Sequence, residues 1–391
     1  MTRLENYFKG DRTIWLIVVF LSILSILAVY SSTGTLAYKY QSGNTEYYLL
    51  KHGLIIVAGF VIMYLCHFVK YTWYSRFANV AVIAAIPLLL LTLVIGSNVN
   101  EANRWLTLPI IGLSFQTSDF AKVALILYVA RTLSKRQDQV DDFKGTFLPL
   151  IVPVALVCML IFPANLSTAA VLFMTCLVLM FIGRISMRYI GGLLGVGILF
   201  LGLFLGIAKL ANYEGPLFKR VQTWMSRLDT FTSEDKDSDT TYQIDQAKIA
   251  IATGGIAGKG PGNSTQRNFL PHPYSDFIFA IIIEEYGMIG GVFVVFLYLL
   301  LFFRVLQIVR RTERAFAALI TIGVGFSLVS QALINMAVAV NLFPVTGQPL
   351  PMLSMGGTSI WFTSLALGII LSVSSEIYTQ EEEEEEHLAI A

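Results

Sequence analysis

The chain has 391 residues, of which 55% are hydrophobic and 14% charged, and its formal net charge is +1. That much apolar surface exceeds what a single water-soluble core can enclose. The near-neutral charge and the lack of a dense basic stripe exclude a nucleic-acid partner. The three cysteines, Cys66, Cys158 and Cys176, fall inside apolar segments, without metal-ligand spacing or a disulfide framework, and read as packing residues.

The apolar residues come in long blocks. Stretches 14–31, 172–183, 189–208 and 289–303 are apolar all round, which suits lipid and bundle neighbours. The first block lacks a small-residue cleavage site and is followed by many others, so it reads as a first span and not a signal peptide. At about 20 residues per span, the expected fold is an all-α integral membrane protein of about ten transmembrane helices. In chain order they lie near 13–32, 48–69, 76–96, 117–134, 147–163, 167–183, 189–209, 276–303, 315–342 and 357–375. Arg3, Lys9 and Arg12 precede the first helix, and every even-numbered connection is basic: Lys70 and Arg76; Arg131, Lys135, Arg136 and Lys144; Arg184 and Arg188; Arg304, Arg310, Arg311 and Arg314. The positive-inside rule then places both termini in the cytoplasm.

The seventh connection, about 210–275, faces outward. It is too long for a mere connector, because long ordered loops usually carry function. Residues 1–376 form one membrane domain. The run Glu381–Glu386 within 377–391 reads as a solvated acidic cytoplasmic tail.

The glycine-rich stretch Gly254-Gly255-Ile256-Ala257-Gly258-Lys259-Gly260-Pro261-Gly262 is not a nucleotide loop. No strand precedes it, and its Gly-Lys pair is not followed by Ser or Thr. The four histidines are scattered, which argues against a histidine metal site. The polar groups at the expected outer boundary are more informative. Asp276 follows Pro271 and Pro273 and opens the eighth helix. It is either an N-terminal carboxylate that satisfies free N–H groups, or a partly desolvated base. Lys122, one turn into the fourth helix, either pairs with Asp119 at i, i+3 or holds an anionic ligand. Arg104 and Trp105 are interfacial anchors or part of the same site. Gln331 and Asn335 share a helix face and should bond between helices. The segment Pro344, Gly347, Pro349, Pro351 and Gly356-Gly357 is irregular, and such backbone persists at membrane depth only inside protein or around a cavity.

These motifs carry a resemblance. Gly-Pro-Gly-Asn-Ser-Thr-Gln (260–266), Phe-Leu-Pro (269–271), Ser-Asp-Phe-Ile-Phe-Ala (275–280) and Glu284-Glu285-Tyr286-Gly287 resemble the SEDS family of cell-wall polymerases. So do Arg104-Trp105 with Ser114 to Lys122, and Pro344 to Pro351 with Ser354 and Gly356 to Ser359. The Gly-Asn-Ser triplet is more similar to the division branch than to the elongation branch. The chain departs from the family at His272, Tyr274, Asn165, Ser167 and Asp119.

The resemblance implies a peptidoglycan glycosyltransferase that polymerises lipid II by an inverting displacement, with Asp276 as general base. It implies substrate binding by Arg104, Gln116, Ser118, Lys122, Gln266, Thr346 and Ser354. Arg104, Lys122 and Arg220, or a divalent cation such as magnesium or manganese, would stabilise the leaving pyrophosphate. The implied partners are a class B penicillin-binding transpeptidase and other division proteins. The implied location is the bacterial inner membrane at the septum. The rival readings are an elongation-type polymerase, a lipid II flippase using Lys122, Glu284, Glu285, Gln331 and Asn335, and a non-catalytic division scaffold.

Overall fold

The computed structural model describes residues 9–40, 43–99, 102–107, 114–211, 219–232 and 239–390. Eight of its helices are long and apolar enough to cross a membrane, and the chain forms two compact units.

The first unit comprises residues 1–73 and 236–391. Its helices are α1 (Arg12–Ser32), α2 (Gly34–Tyr40), α3 (Thr45–Phe68), α10 (Asp239–Gly254), α11 (Ile278–Arg311), α12 (Ala315–Ala339) and α13 (Thr358–Ile390). Asp11 starts α1 as its N-cap, accepting from the backbone N–H of Thr13 at 2.8 Å and of Ile14 at 3.2 Å. Its other oxygen accepts from Arg304 Nε at 2.7 Å. One carboxylate, only 1% exposed, thus fixes the start of α1 and its register against α11, by the charge-assisted bonding that makes such caps strong. Asn44 caps α3 in the same way through Tyr47 N–H. Buried His52 of α3 hydrogen-bonds Ser25 Oγ of α1 at 2.8 Å, which accounts for one histidine as a core polar pair. Helix α13 continues through the glutamate run, read from the sequence as a solvated acidic tail, to Ile390.

The second unit comprises residues 74–235. It holds nearly all of α4 (Tyr71–Ile95), then α5 (Thr117–Lys135), α6 (Leu148–Ile161), α7 (Leu166–Ile182), α8 (Met187–Leu210) and α9 (Lys219–Thr232). One π-helical turn, Phe143–Phe147, leads into α6. Between α4 and α5 lies an antiparallel sheet of β1 (Ser97–Val99), β2 (Ala102–Thr107) and β3 (Ser114–Gln116), in the order β1-β2-β3. The sequence reading left this stretch as a plain connection. The expected helix near 276–303 instead begins at Ile278, and the long seventh connection contains α9 and α10. The other expected spans coincide with helices to within about five residues, except that α13 runs on to Ile390, well past the expected end at 375.

Candidate active site

Helix α10 carries Ile244, Ala247 and Ala250 into an apolar cluster with Leu270, Phe277, Ala280, Ile281, Val338 and Val345. This cluster binds α10, the start of α11 and the end of α12 together, and Asp276 sits immediately beside its Phe277 anchor. Asp276 itself is half-buried, and one carboxylate oxygen accepts from Ser275 Oγ at 2.8 Å. The N-cap of α11 is Phe277, with no side-chain capping bond. Among the described residues the Asp276 carboxylate accepts from no backbone N–H of α11, so the capping alternative lacks its hydrogen bonds, and the carboxylate lies just ahead of the helix.

Its backbone is held firmly. Three consecutive carbonyls each accept one donor: Tyr274 O from Met355 N–H at 2.9 Å, Ser275 O from Ser354 Oγ at 2.6 Å, and Asp276 O from Asn335 Nδ2 at 3.0 Å. Ser354 Oγ also accepts from Leu350 N–H at 2.8 Å. Only 2% exposed, Ser354 is used up by the backbone on both sides. The structure thus places this predicted substrate ligand as a clamp beneath Asp276.

The irregular 344–355 segment survives as expected, inside protein. Gln331 Nε2 donates to Pro349 O at 2.8 Å and Asn335 Nδ2 to Gln348 O at 2.7 Å. Tyr298 donates to Pro351 O, and Ser25 Oγ donates to Leu353 O at 2.8 Å. Side chains of α1, α11 and α12 satisfy the carbonyls that no helix or strand serves. The amides of Gln331 and Asn335 reach from α12 to backbone carbonyls of this segment and of Asp276.

The glycine-rich stretch now has a role. Helix α11 breaks at Gly287, where φ is 70° and ψ is −174°. In an unbroken helix Met288 and Ile289 would donate to the carbonyls of Glu284 and Glu285. Here they donate to Gly255 O at 2.9 Å and Ile256 O at 3.3 Å, while Lys259 N–H and Gly260 N–H fill the vacated Glu284 and Glu285 carbonyls at 2.9 Å each. Two helical bonds are exchanged for four to the loop. The approach is close enough that a Cβ at Gly287 would lie 2.1 Å from Ile256 O, and one at Gly258 2.3 Å from Glu285 O.

The acidic pair completes this clasp. Glu284, fully buried, accepts from Lys259 Nζ at 2.6 Å, Thr265 Oγ1 at 2.8 Å, Thr265 N–H at 3.1 Å and Gln266 N–H at 3.2 Å, and from Ser264 Oγ. Glu285 accepts from Ser31 Oγ, and Arg267 donates to Ser31 O at 2.9 Å and to Ser31 Oγ at 3.0 Å. Arg267 escaped the sequence reading, although a cation one residue past a polar motif and near two glutamates was a usable signal. Gln266 gives its N–H to Glu284, and its Oε1 is enclosed without a hydrogen-bond partner. Thr346 is half-buried on the 344–355 segment.

The remaining predicted residues belong to the second unit. Lys122 Nζ lies 2.8 Å from Asp119 Oδ1, with side chains 16% and 4% exposed, so the expected ion pair is present. Gln116 Nε2 donates to Ser118 Oγ at 3.0 Å at the head of α5. Arg104 lies on β2 and Arg220 on α9, but both side chains fall outside the described residues. Among the described residues no three His, Cys, Asp or Glu side chains are grouped to hold a metal ion.

Fold and site together define a polytopic helical membrane protein whose first unit holds Asp276 on an irregular backbone seam braced by Gln331, Asn335 and Ser354. The FtsW/RodA/SpoVE family, described as cell cycle proteins, matches residues 11–379, and the chain belongs to that family. It is 34% identical over 369 residues to the probable peptidoglycan glycosyltransferase FtsW of Halomonas elongata, covering 93% of this chain and 90% of that one. Its identity to the protein of the same name from Haemophilus influenzae is 32% over 373 residues, covering 94% and 90%. A chain from a peptidoglycan synthase complex that coordinates polymerization and crosslinking superposes with a TM-score of 0.73 at 24% identity, covering 94% of this chain and 98% of that one. The rod shape determining protein RodA of Thermus thermophilus superposes with a TM-score of 0.67 at 24% identity, covering 95% and 99%. At that identity the two superpositions speak to the fold.

Proposed function

We propose that the chain is a peptidoglycan glycosyltransferase that joins lipid II units into glycan strands, acting in septal wall synthesis. The observation that carries this reading is the placement of Asp276: an uncapped, half-buried carboxylate on a backbone held at three successive carbonyls. Polymerisation requires the 4-hydroxyl of an acceptor GlcNAc to attack the anomeric carbon of a donor MurNAc. The glycosidic bond forms as the bond to pyrophosphate breaks from the opposite face. The hydroxyl proton passes to Asp276, and the undecaprenyl pyrophosphate leaves with the electron pair. One inverting step needs one base and no covalent enzyme intermediate, as in inverting glycosidases. A base held within hydrogen-bond reach typically contributes about 10²–10⁴-fold.

The leaving group needs cations in place of an acid. Lys122 is the candidate for that role, with Arg104 and Arg220, while Gln116, Ser118, Gln266 and Thr346 would bind the polar head. Most of the ionisable and amide groups that a transport path would use, Glu284, Glu285, Gln331 and Asn335, already bond to the loop, to Ser31 of α1 or to backbone carbonyls, which favours the polymerase over the flippase. The partner is a class B penicillin-binding transpeptidase, in keeping with the synthase complex that shares this fold. The test is glycan-chain formation from lipid II by the purified protein and its Asp276→Asn variant.

A further inference from the structure

We propose that Asn335 is a positioning residue for Asp276, an inference that rests on the reading of Asp276 as the base. Asn335 is 1% exposed. Its single Nδ2 group reaches two carbonyls, Asp276 O at 3.0 Å and Gln348 O at 2.7 Å. Both neighbours are acceptors, so the amide orientation is fixed: the flipped amide would set oxygen against oxygen. One side chain on α12 therefore links the residue carrying the carboxylate to the irregular segment that braces it.

The bracing is specific to the stretch that presents Asp276. Residues 274, 275 and 276 have each carbonyl held by a different donor, from Met355, Ser354 and Asn335. Of these, only the Asn335 bond falls on Asp276 itself. Without Asn335 the Asp276 carbonyl, next before the Phe277 carbonyl that opens the helix, loses its donor, and the peptide that follows Asp276 is held less firmly about its ψ. A base displaced by about 1 Å can cost about 100-fold in rate, whereas substrate binding by other residues is untouched.

Gln331 supplies the control. It lies one turn earlier on α12 and donates to Pro349 O, on the same segment but with no bond to Asp276. Asn335→Leu and Gln331→Leu each remove an amide from the same face of α12, the first leaving the Asp276 and Gln348 carbonyls unserved and the second the Pro349 carbonyl. We expect Asn335→Leu to lower kcat for lipid II polymerisation at least tenfold with KM within about twofold of wild type. Gln331→Leu should stay within about threefold in kcat, at a similar loss of thermal stability.

Should Asn335→Leu not be recovered from membranes, Ser354→Ala reads the same clamp one carbonyl upstream, with an expected fall in kcat of about fivefold at unchanged KM. Equal kcat losses in the Leu variants that track their melting temperatures would overturn the proposal, as would a Ser354→Ala effect confined to KM. Each run includes wild type and Asp276→Asn. If wild type polymerises and Asp276→Asn does not, the base reading stands and the Asn335 result is judged alone. If wild type makes no chains, or Asp276→Asn makes them, the base reading fails and the inference falls with it.

Discussion

Asn165, one of the positions at which the chain departs from the family pattern, has a structural task at the head of α7. Its Oδ1 accepts from Thr168 N–H at 3.2 Å as the N-cap of α7, a task at which Asn and Asp are near equals. Lys122 is a harder case, because its partner Asp119 is only 4% exposed. Removing the lysine leaves a buried carboxylate uncompensated, which is destabilising in its own right. Lys122→Met should therefore lose both activity and thermal stability, and the double variant Lys122→Met/Asp119→Asn should regain the stability. If Lys122 also binds the pyrophosphate, the double variant stays inactive in a lipid II assay, and Lys122→Arg restores activity only in part. Recovery of full polymerisation in the double variant would reduce Lys122 to a structural cation. At this scale the sequence was legible where a residue type carries its own chemistry: Asp276 and the Lys122–Asp119 pair stood out as ionisable groups beside apolar runs. Asn335 and Ser354 did not, because a buried amide or hydroxyl says nothing about which carbonyl it serves until the chain is folded.

At the scale of elements, the glycine stretch and the broken helix are one device. The sequence excluded a nucleotide loop but offered no reason for five glycines in nine residues. The reason is the exchange of backbone bonds across the break at Gly287, a long-range pairing that no local periodicity reports. Gly287→Ala would place a Cβ 2.1 Å from Ile256 O at a backbone φ of 70°, combining strain with a backbone clash. The expected loss is about 3 kcal/mol or more, read as a lower melting temperature in detergent and loss of the fold at 37 °C. Near-wild-type stability would show that the clasp opens at little cost. The helices themselves were readable because apolar blocks of membrane length have few other outcomes. The sheet β1-β2-β3 and helices α9 and α10 were not, since they lie in polar stretches where short elements are set by tertiary pairing.

At the scale of the whole molecule, the basic connections predict its orientation in the membrane. A single cysteine placed at Asp141 should be shielded from an impermeant thiol reagent in intact cells, and one at Lys236 should react; equal labelling would contradict that orientation. The same orientation puts Asp276 on the outer side, where lipid II presents its sugars to a polymerase. The central claim is that this carboxylate takes the acceptor's proton. It is tested most directly with purified wild type and Asp276→Asn, each with its transpeptidase partner, given lipid II and analysed for glycan chains. Asn keeps the size of the side chain and can still bond Ser275, but it cannot take up the proton. The account predicts chains from the wild type and none from Asp276→Asn, with both proteins equally folded and equally able to bind the partner. Chains of comparable length and yield from Asp276→Asn would contradict it.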